Sequence, residues 1–194
     1  MKFGGFQPFT LSDYPANCAA IVFCSGCNLR CPYCHNKELW SSSLSTISEE
    51  EVIKVLLFRK SLLKGLVISG GEPTLQGDSL VRFMNRVKEL DYFIKIDTNG
   101  TDPKLIEEMI SSSLVDFIAM DIKSPFQKYT ELTNTAVDIR LIQKSINIIV
   151  NSGLAHLFRT TWDKTRLTEE DIEIIKEIIP AGSQFVLQKC RYYR

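Results

Sequence analysis

Strand-length apolar runs alternate with helix-period stretches about six times in this chain, and no other feature restricts its architecture as strongly. The runs fall at residues 19–23, 66–69, 93–98, 117–121, 157–161 and 185–188. Between them, apolar residues recur at helical spacing: Val52, Ile53, Leu56, Leu57 and Leu63, then Leu80, Val81, Met84 and Val87, then Leu105, Ile106, Met109 and Ile110. Two further helices bury Leu141, Ile142, Ile146 and Ile149 over residues 138–151, and Ile172, Ile175 and Ile179 after Thr168. Local signals agree. Ser48 with Glu51 is a capping box, Asp102-Pro103 is an N-cap followed by proline at the first helical position, and Gly65 and Gly153 read as helix stops. Strand–helix alternation of this kind means parallel strands joined by right-handed crossovers. Eight units would close a barrel of about 250 residues. About six units in 194 residues predict an α/β fold, an open, partial (β/α)6 barrel, as one domain over residues 1–194. Residues 1–17, with Gly4-Gly5, Pro8 and Pro15, read as a hairpin or extended lead-in.

Polar residues gather at the carboxyl ends of these strands, the edge at which parallel α/β folds bind ligands. Ser69-Gly70-Gly71-Glu72 follows Ile68, Asp97-Thr98-Asn99 follows Ile96, Asp121 and Lys123 follow Met120, Arg159 sits within the fifth strand and Gln188 ends the sixth. The first strand delivers Cys27-Asn28-Leu29-Arg30-Cys31-Pro32-Tyr33-Cys34 to the same edge.

Four of the six cysteines (Cys18, Cys24, Cys27, Cys31, Cys34 and Cys190) crowd into residues 24–34, which is not a secreted disulfide framework. With only His35 and His156, a histidine-based hydrolase has few bases to draw on. A four-cysteine zinc knot through Cys24, Cys27, Cys31 and Cys34 leaves only Asn28-Leu29-Arg30 between its two pairs, whereas structural zinc knuckles stand roughly 15–20 residues apart. A ferredoxin-like run fits poorly in its middle spacing, and a thioredoxin-like pair leaves the other thiols unexplained. The remaining reading is a [4Fe-4S] cluster on Cys27, Cys31 and Cys34, with one iron left open to a small molecule. Cys18 and Cys190 are expected to be buried thiols, and His156 a structural residue.

Lysine plus arginine (23) equals aspartate plus glutamate (23), so no global field attracts nucleic acid or an anionic membrane. No apolar run approaches the roughly 20 residues of a membrane span. The start, Met1-Lys2-Phe3-Gly4-Gly5-Phe6, carries no apolar leader, so the expected location is cytoplasmic.

Cys27-x3-Cys31-x2-Cys34, with aromatic Tyr33, resembles the signature of the radical S-adenosylmethionine (SAM) superfamily, and Gly70-Gly71-Glu72-Pro73 strengthens the likeness. The similarity extends to activating enzymes of glycyl-radical enzymes, above all anaerobic ribonucleoside-triphosphate reductase activating proteins. It runs through residues 9–15, 26–36, 69–76, 97–100, 120–123 and 158–161. It implies SAM at the open iron, a 5′-deoxyadenosyl radical, and a glycine Cα–H of a partner protein as the target. Tyr33, Gly70, Gly71, Glu72, Thr98, Asn99, Arg159 and Gln188 are the implied SAM-binding set, with Arg159 facing the SAM carboxylate or held in an ion pair with Asp121 or Asp97. In pyruvate formate-lyase activating enzymes, positions matching Asp97, Thr98 and Asp121 hold a monovalent cation. A one-electron donor such as flavodoxin or ferredoxin is implied as a second partner. Departures are Ala16 and Asn17, where glycine and lysine are common, and Cys24, where threonine is common; Cys24 is therefore not expected to be a ligand. The competing readings are an activase of another glycyl-radical enzyme, a radical SAM enzyme on a small molecule, and a non-catalytic zinc or iron–sulfur module.

Overall fold

The computed structural model describes residues 1–190 and is built on one seven-stranded sheet whose spatial order follows the chain. The strands are β1 (Phe3–Thr10), β2 (Ala19–Cys24), β3 (Gly65–Gly70), β4 (Phe93–Thr98), β5 (Phe117–Asp121), β6 (Ala155–Trp162) and β7 (Gln184–Lys189). From β2 to β7 every neighbouring pair is parallel. The crossovers carry α1 (Glu49–Phe58), α2 (Asp78–Lys88), α3 (Pro103–Ser111), α4 (Tyr129–Thr133) with α5 (Ile139–Asn151), and α6 (Glu169–Ile178). β1 pairs antiparallel with β2, and β1 and β7 are the two edges, so the barrel stays open. The six parallel strands are those of the sequence reading, and the extended lead-in is the seventh strand.

Side-chain alternation divides the sheet into two faces. One set, including Val22, Leu66, Ile68, Ile94, Ile96, Ile118 and Phe158, packs with Val52, Leu56, Phe83, Met84, Ile106, Ile142, Ile149 and Ile175 of the helices into the main core. The opposite set forms a smaller apolar floor of Tyr14, Ala19, Ile21 and Val67, with Phe23 and Phe117 against it. Parallel strands buried on both faces read as the near-continuous apolar runs seen in the sequence.

The helix ends follow their side-chain chemistry. Ser48 and Glu51 make the reciprocal capping box, Thr168 and Asp171 make a second, and Asp102 accepts from the Leu105 N–H at 3.0 Å. Three sequence readings are corrected. α1 ends at Phe58, not near Gly65; Leu57 and Phe58 face solvent, and only Leu63 returns to the core. Gly65 instead opens β3, where a Cβ would lie 2.7 Å from the Tyr14 ring: it is small for packing, not for stopping a helix. Leu141 is 38% exposed on α5, because the buried stripe runs through Ile142, Ser145, Ile146 and Ile149. Among the described residues no helix is long and apolar enough to cross a membrane.

Candidate active site

The strand register sets the carboxyl ends side by side: Cys24 beside Gly70, Thr98 beside Met120, Asp121 beside Arg159. A cavity of about 210 Å³ lies over them, lined by Cys27, Cys31, Cys34, Tyr33, Gly70, Gly71, Glu72, Asp97, Thr98, Asn99, Asp121 and Arg159. Every residue singled out from the sequence is there except Gln188, which stands exposed on the β7 edge outside the lining. Lys123, Ser69, His35, Asn36, Trp40 and Thr161 also line it. Of these, Lys123 and Ser69 were legible only as strand-end polar residues.

The cysteine loop is anchored at several points. The Arg30 N–H donates to the Thr133 carbonyl at 2.8 Å, and the Cys34 N–H to the Cys31 carbonyl at 3.0 Å. Asn99 donates from its side chain to Asn28 Oδ1, and Asn28 donates to Thr101 Oγ1, both at 2.8 Å. Asn99 therefore ties the loop to the end of β4. Cys31 is buried, Cys27 and Cys34 are half-buried, and the Leu29 N–H donates to Cys27 Sγ at 3.4 Å. Burial pushes the Cys27 thiol up to about 11 and raises Cys31 as well. Cys24 is fully buried in the core cluster and outside the cavity. Cys18 and Cys190 are half-buried, more open than expected.

Gly70 and Gly71 are required by the protein's own backbone. At Gly70, with φ +114°, a Cβ would lie 2.3 Å from the Cys24 nitrogen; at Gly71 it would lie 2.1 Å from the Gly26 carbonyl oxygen. The Gly71 and Glu72 N–H groups donate to the Cys24 and Gly26 carbonyls, both at 2.8 Å. The missing side chains thus allow β3 to grip the start of the cysteine loop. Glu72 is fully buried. Its carboxylate accepts from the Thr74 N–H (3.1 Å) and hydroxyl (2.7 Å), the Thr98 hydroxyl (2.8 Å) and the Asn99 N–H (2.6 Å). Burial raises its pKa against these hydrogen bonds, which favour the anion. Glu72 is a strut between the ends of β3 and β4.

Charge is concentrated at the ends of β4, β5 and β6. Arg159 Nε donates to Asp121 Oδ1 at 2.6 Å, and its terminal nitrogen lies 3.6 Å from Asp97 Oδ2. Lys123 donates to Asp121 Oδ2 at 2.9 Å, Ser69 donates to Asp97 Oδ2 at 2.9 Å, and Lys95 pairs with Asp97 Oδ1. Burial would raise the Asp121 carboxyl, but Arg159 and Lys123 overcome it and hold it well below the usual range. Asp121 in turn raises Arg159. Arg159 thus pairs with both Asp121 and Asp97 while lining the cavity.

A [4Fe-4S] cluster and SAM fit these residues. Three thiols face one cavity, and the buried Tyr33 hydroxyl has no hydrogen-bond partner. The monovalent cation does not fit. All four carboxylate oxygens of Asp97 and Asp121 are engaged by Lys95, Ser69, Arg159 and Lys123, and the Thr98 hydroxyl oxygen, which donates to Glu72, accepts from the Gly100 N–H at 3.1 Å.

The sequence profile of the Radical SAM superfamily matches residues 21–179, and the chain belongs to that superfamily. A glycyl-radical enzyme activating enzyme homologue of Methanocaldococcus jannaschii is 35% identical over 189 residues, covering 95% of this chain and 78% of the relative. Within the superfamily the chain is thus one of the glycyl-radical enzyme activating enzymes. The pyruvate formate-lyase-activating enzyme of Listeria monocytogenes is 36% identical over 125 residues, covering 58% of this chain and 50% of the relative, so the chain spans about half the length of that relative. Streptococcus suis SuiB has the same fold, with a TM-score of 0.68 at 18% identity over 89% of this chain and 39% of SuiB.

Proposed function

We propose that residues 1–194 form one domain that binds a [4Fe-4S] cluster through Cys27, Cys31 and Cys34, binds SAM beside it, and generates a glycyl radical on an anaerobic ribonucleoside-triphosphate reductase. The observation that carries this reading is the convergence of three thiols and the charged ends of β4, β5 and β6 on one cavity at the carboxyl edge of an open sheet. Cys27, Cys31 and Cys34 would hold a cluster that, once reduced by an external one-electron donor, would supply the electron for cleaving the sulfonium C–S bond of SAM, releasing methionine and leaving a 5′-deoxyadenosyl group to take a hydrogen atom from a glycine Cα and depart as 5′-deoxyadenosine.

The chain's own residues bind and orient. Cys27, Cys31 and Cys34 hold the iron; Lys123 and Arg159 present positive charge to a ligand carboxylate. Gly70, Gly71 and Glu72 keep the strand ends in place around the bound molecule. Tyr33, Thr98 and Asn99 complete the wall, with Asn99 fixing the cysteine loop. The open face admits a peptide loop more readily than it encloses a small molecule. A flavodoxin or ferredoxin is the electron donor in this reading, and the cytoplasm its location. A pyruvate formate-lyase-type target fits equally well, because one relative is a pyruvate formate-lyase-activating enzyme.

The test is anaerobic reconstitution, reduction and addition of SAM with either partner. A glycyl doublet in electron paramagnetic resonance on the reductase, with 5′-deoxyadenosine released, is the expected result. A doublet only on pyruvate formate-lyase would move the target, and 5′-deoxyadenosine with neither would move the substrate to a small molecule.

A further inference from the structure

The four carboxylate oxygens at the ends of β4 and β5 are saturated by side chains, and one of those side chains does not reach the cavity at all. Lys95 lies on β4 two residues before Asp97, beside Val67 of β3 and Phe117 of β5. That level of the sheet belongs to the apolar floor of Ile21, Val67 and Phe117. Lys95 is 3% exposed and absent from the cavity lining. Its stem passes through apolar surroundings, and its ammonium reaches up to Asp97 Oδ1.

We propose that the Lys95 ammonium is a built-in monovalent cation, which holds Asp97 in position beneath the SAM site and makes this enzyme independent of potassium and sodium. Three cationic groups, Lys95, Lys123 and Arg159, stand against the three carboxylates at these strand ends, Asp97, Asp121 and Glu72, so the side chains already supply one cation per carboxylate. An added inorganic cation would unbalance that count and would have to share oxygens that already accept from an ammonium, a guanidinium or a hydroxyl. A hard cation needs several free oxygen ligands, and Glu72, the remaining carboxylate at this edge, is occupied by four donors. An ammonium is a compact point charge of the same sign, delivered without recruiting an ion from solution. Lys95 acts through Asp97 and is a positioning residue.

The reconstituted protein is compared in potassium chloride, sodium chloride and choline chloride at equal ionic strength, by thermal unfolding and by 5′-deoxyadenosine formation. Wild type should give the same unfolding midpoint and the same rate in all three salts. Lys95→Met opens room and charge for an ion. In that variant potassium or sodium should raise the midpoint by about 2–4 °C over choline and the rate about tenfold. Lys95→Arg keeps the charge and should stay indifferent to the salt. A potassium- or sodium-specific gain in wild type overturns the proposal, as does a folded Lys95→Met variant as indifferent as wild type. Should Lys95→Met not fold, Lys95→Gln takes its place, and the wild-type comparison decides on its own. The unfolding midpoint needs no partner protein, so failure of the proposed target leaves this result readable.

Discussion

At the residue scale, Glu72 and the two glycines before it have changed meaning. From the sequence they belong to a ligand-binding motif; in the structure each first satisfies a demand of the chain itself. Glu72→Gln turns one acceptor oxygen toward N–H and hydroxyl donors as a competing amide, and should destabilise the protein by about 2–4 kcal/mol in urea melts. Gly71→Ala sets a methyl against the Gly26 carbonyl and should cost about 2–4 kcal/mol. Because Gly26 precedes the first ligand, the same variant should also retain less iron after reconstitution. The cysteines separate cleanly. Alanine at Cys27, Cys31 or Cys34 should abolish iron binding, whereas Cys24→Ala should keep it and lose about 1–2 kcal/mol from the core cavity it leaves. Iron loss in Cys24→Ala would overturn this choice of ligands. The family resemblance, in which threonine is common at this position, set Cys24 aside, and its burial in the core outside the cavity agrees with that. The role of Lys95 was not legible, since a lysine in a strand carries no sign of which layer its ammonium reaches.

At the element scale, capping chemistry was readable because it is local. Ser48 and Thr168 act on N–H groups three residues away, a distance that sequence contains. Ser48→Ala should cost about 1 kcal/mol by denaturant unfolding. Asp171 adds a link that is not local: besides capping α6, it accepts from Lys128 at the start of α4. Burial would raise its carboxyl, but the hydrogen bonds from Lys128 and Thr168 prevail and lower it. A depressed folded value means the stabilisation is fully present above the unfolded value of about 3.9 and is lost as pH falls through the folded one. Asp171→Asn should therefore be less stable than wild type at pH 6, with the gap closing as melts are taken below about pH 4. The end of α1 misled for the opposite reason. Leu57 continues the apolar period without a neighbour to cover it, and Gly65 is small because Tyr14, fifty-one positions earlier, needs the space.

At the scale of the whole molecule, the open sheet separates the site from what holds the fold together. The main core lies between sheet and helices, while the thiols stand in a loop beyond the end of β2. Removing a ligand thiol should thus erase the iron while shifting the iron-free protein's unfolding midpoint by no more than roughly 2–4 °C, as measured by calorimetry. Periodicity determined the parallel strands, their order of appearance and the edge at which chemistry collects, because each is a repeat of burial along one chain. Cysteine spacing determined which thiols share a loop. Tertiary structure alone decided which polar residues are already spent on one another. Asp97 and Asp121 resemble cation ligands in sequence, but Lys95, Lys123, Ser69 and Arg159 claim their oxygens once β3 to β6 lie side by side. Hydrogen-bonding capacity is finite, and how it is divided depends on distances across strands that no single stretch of sequence records.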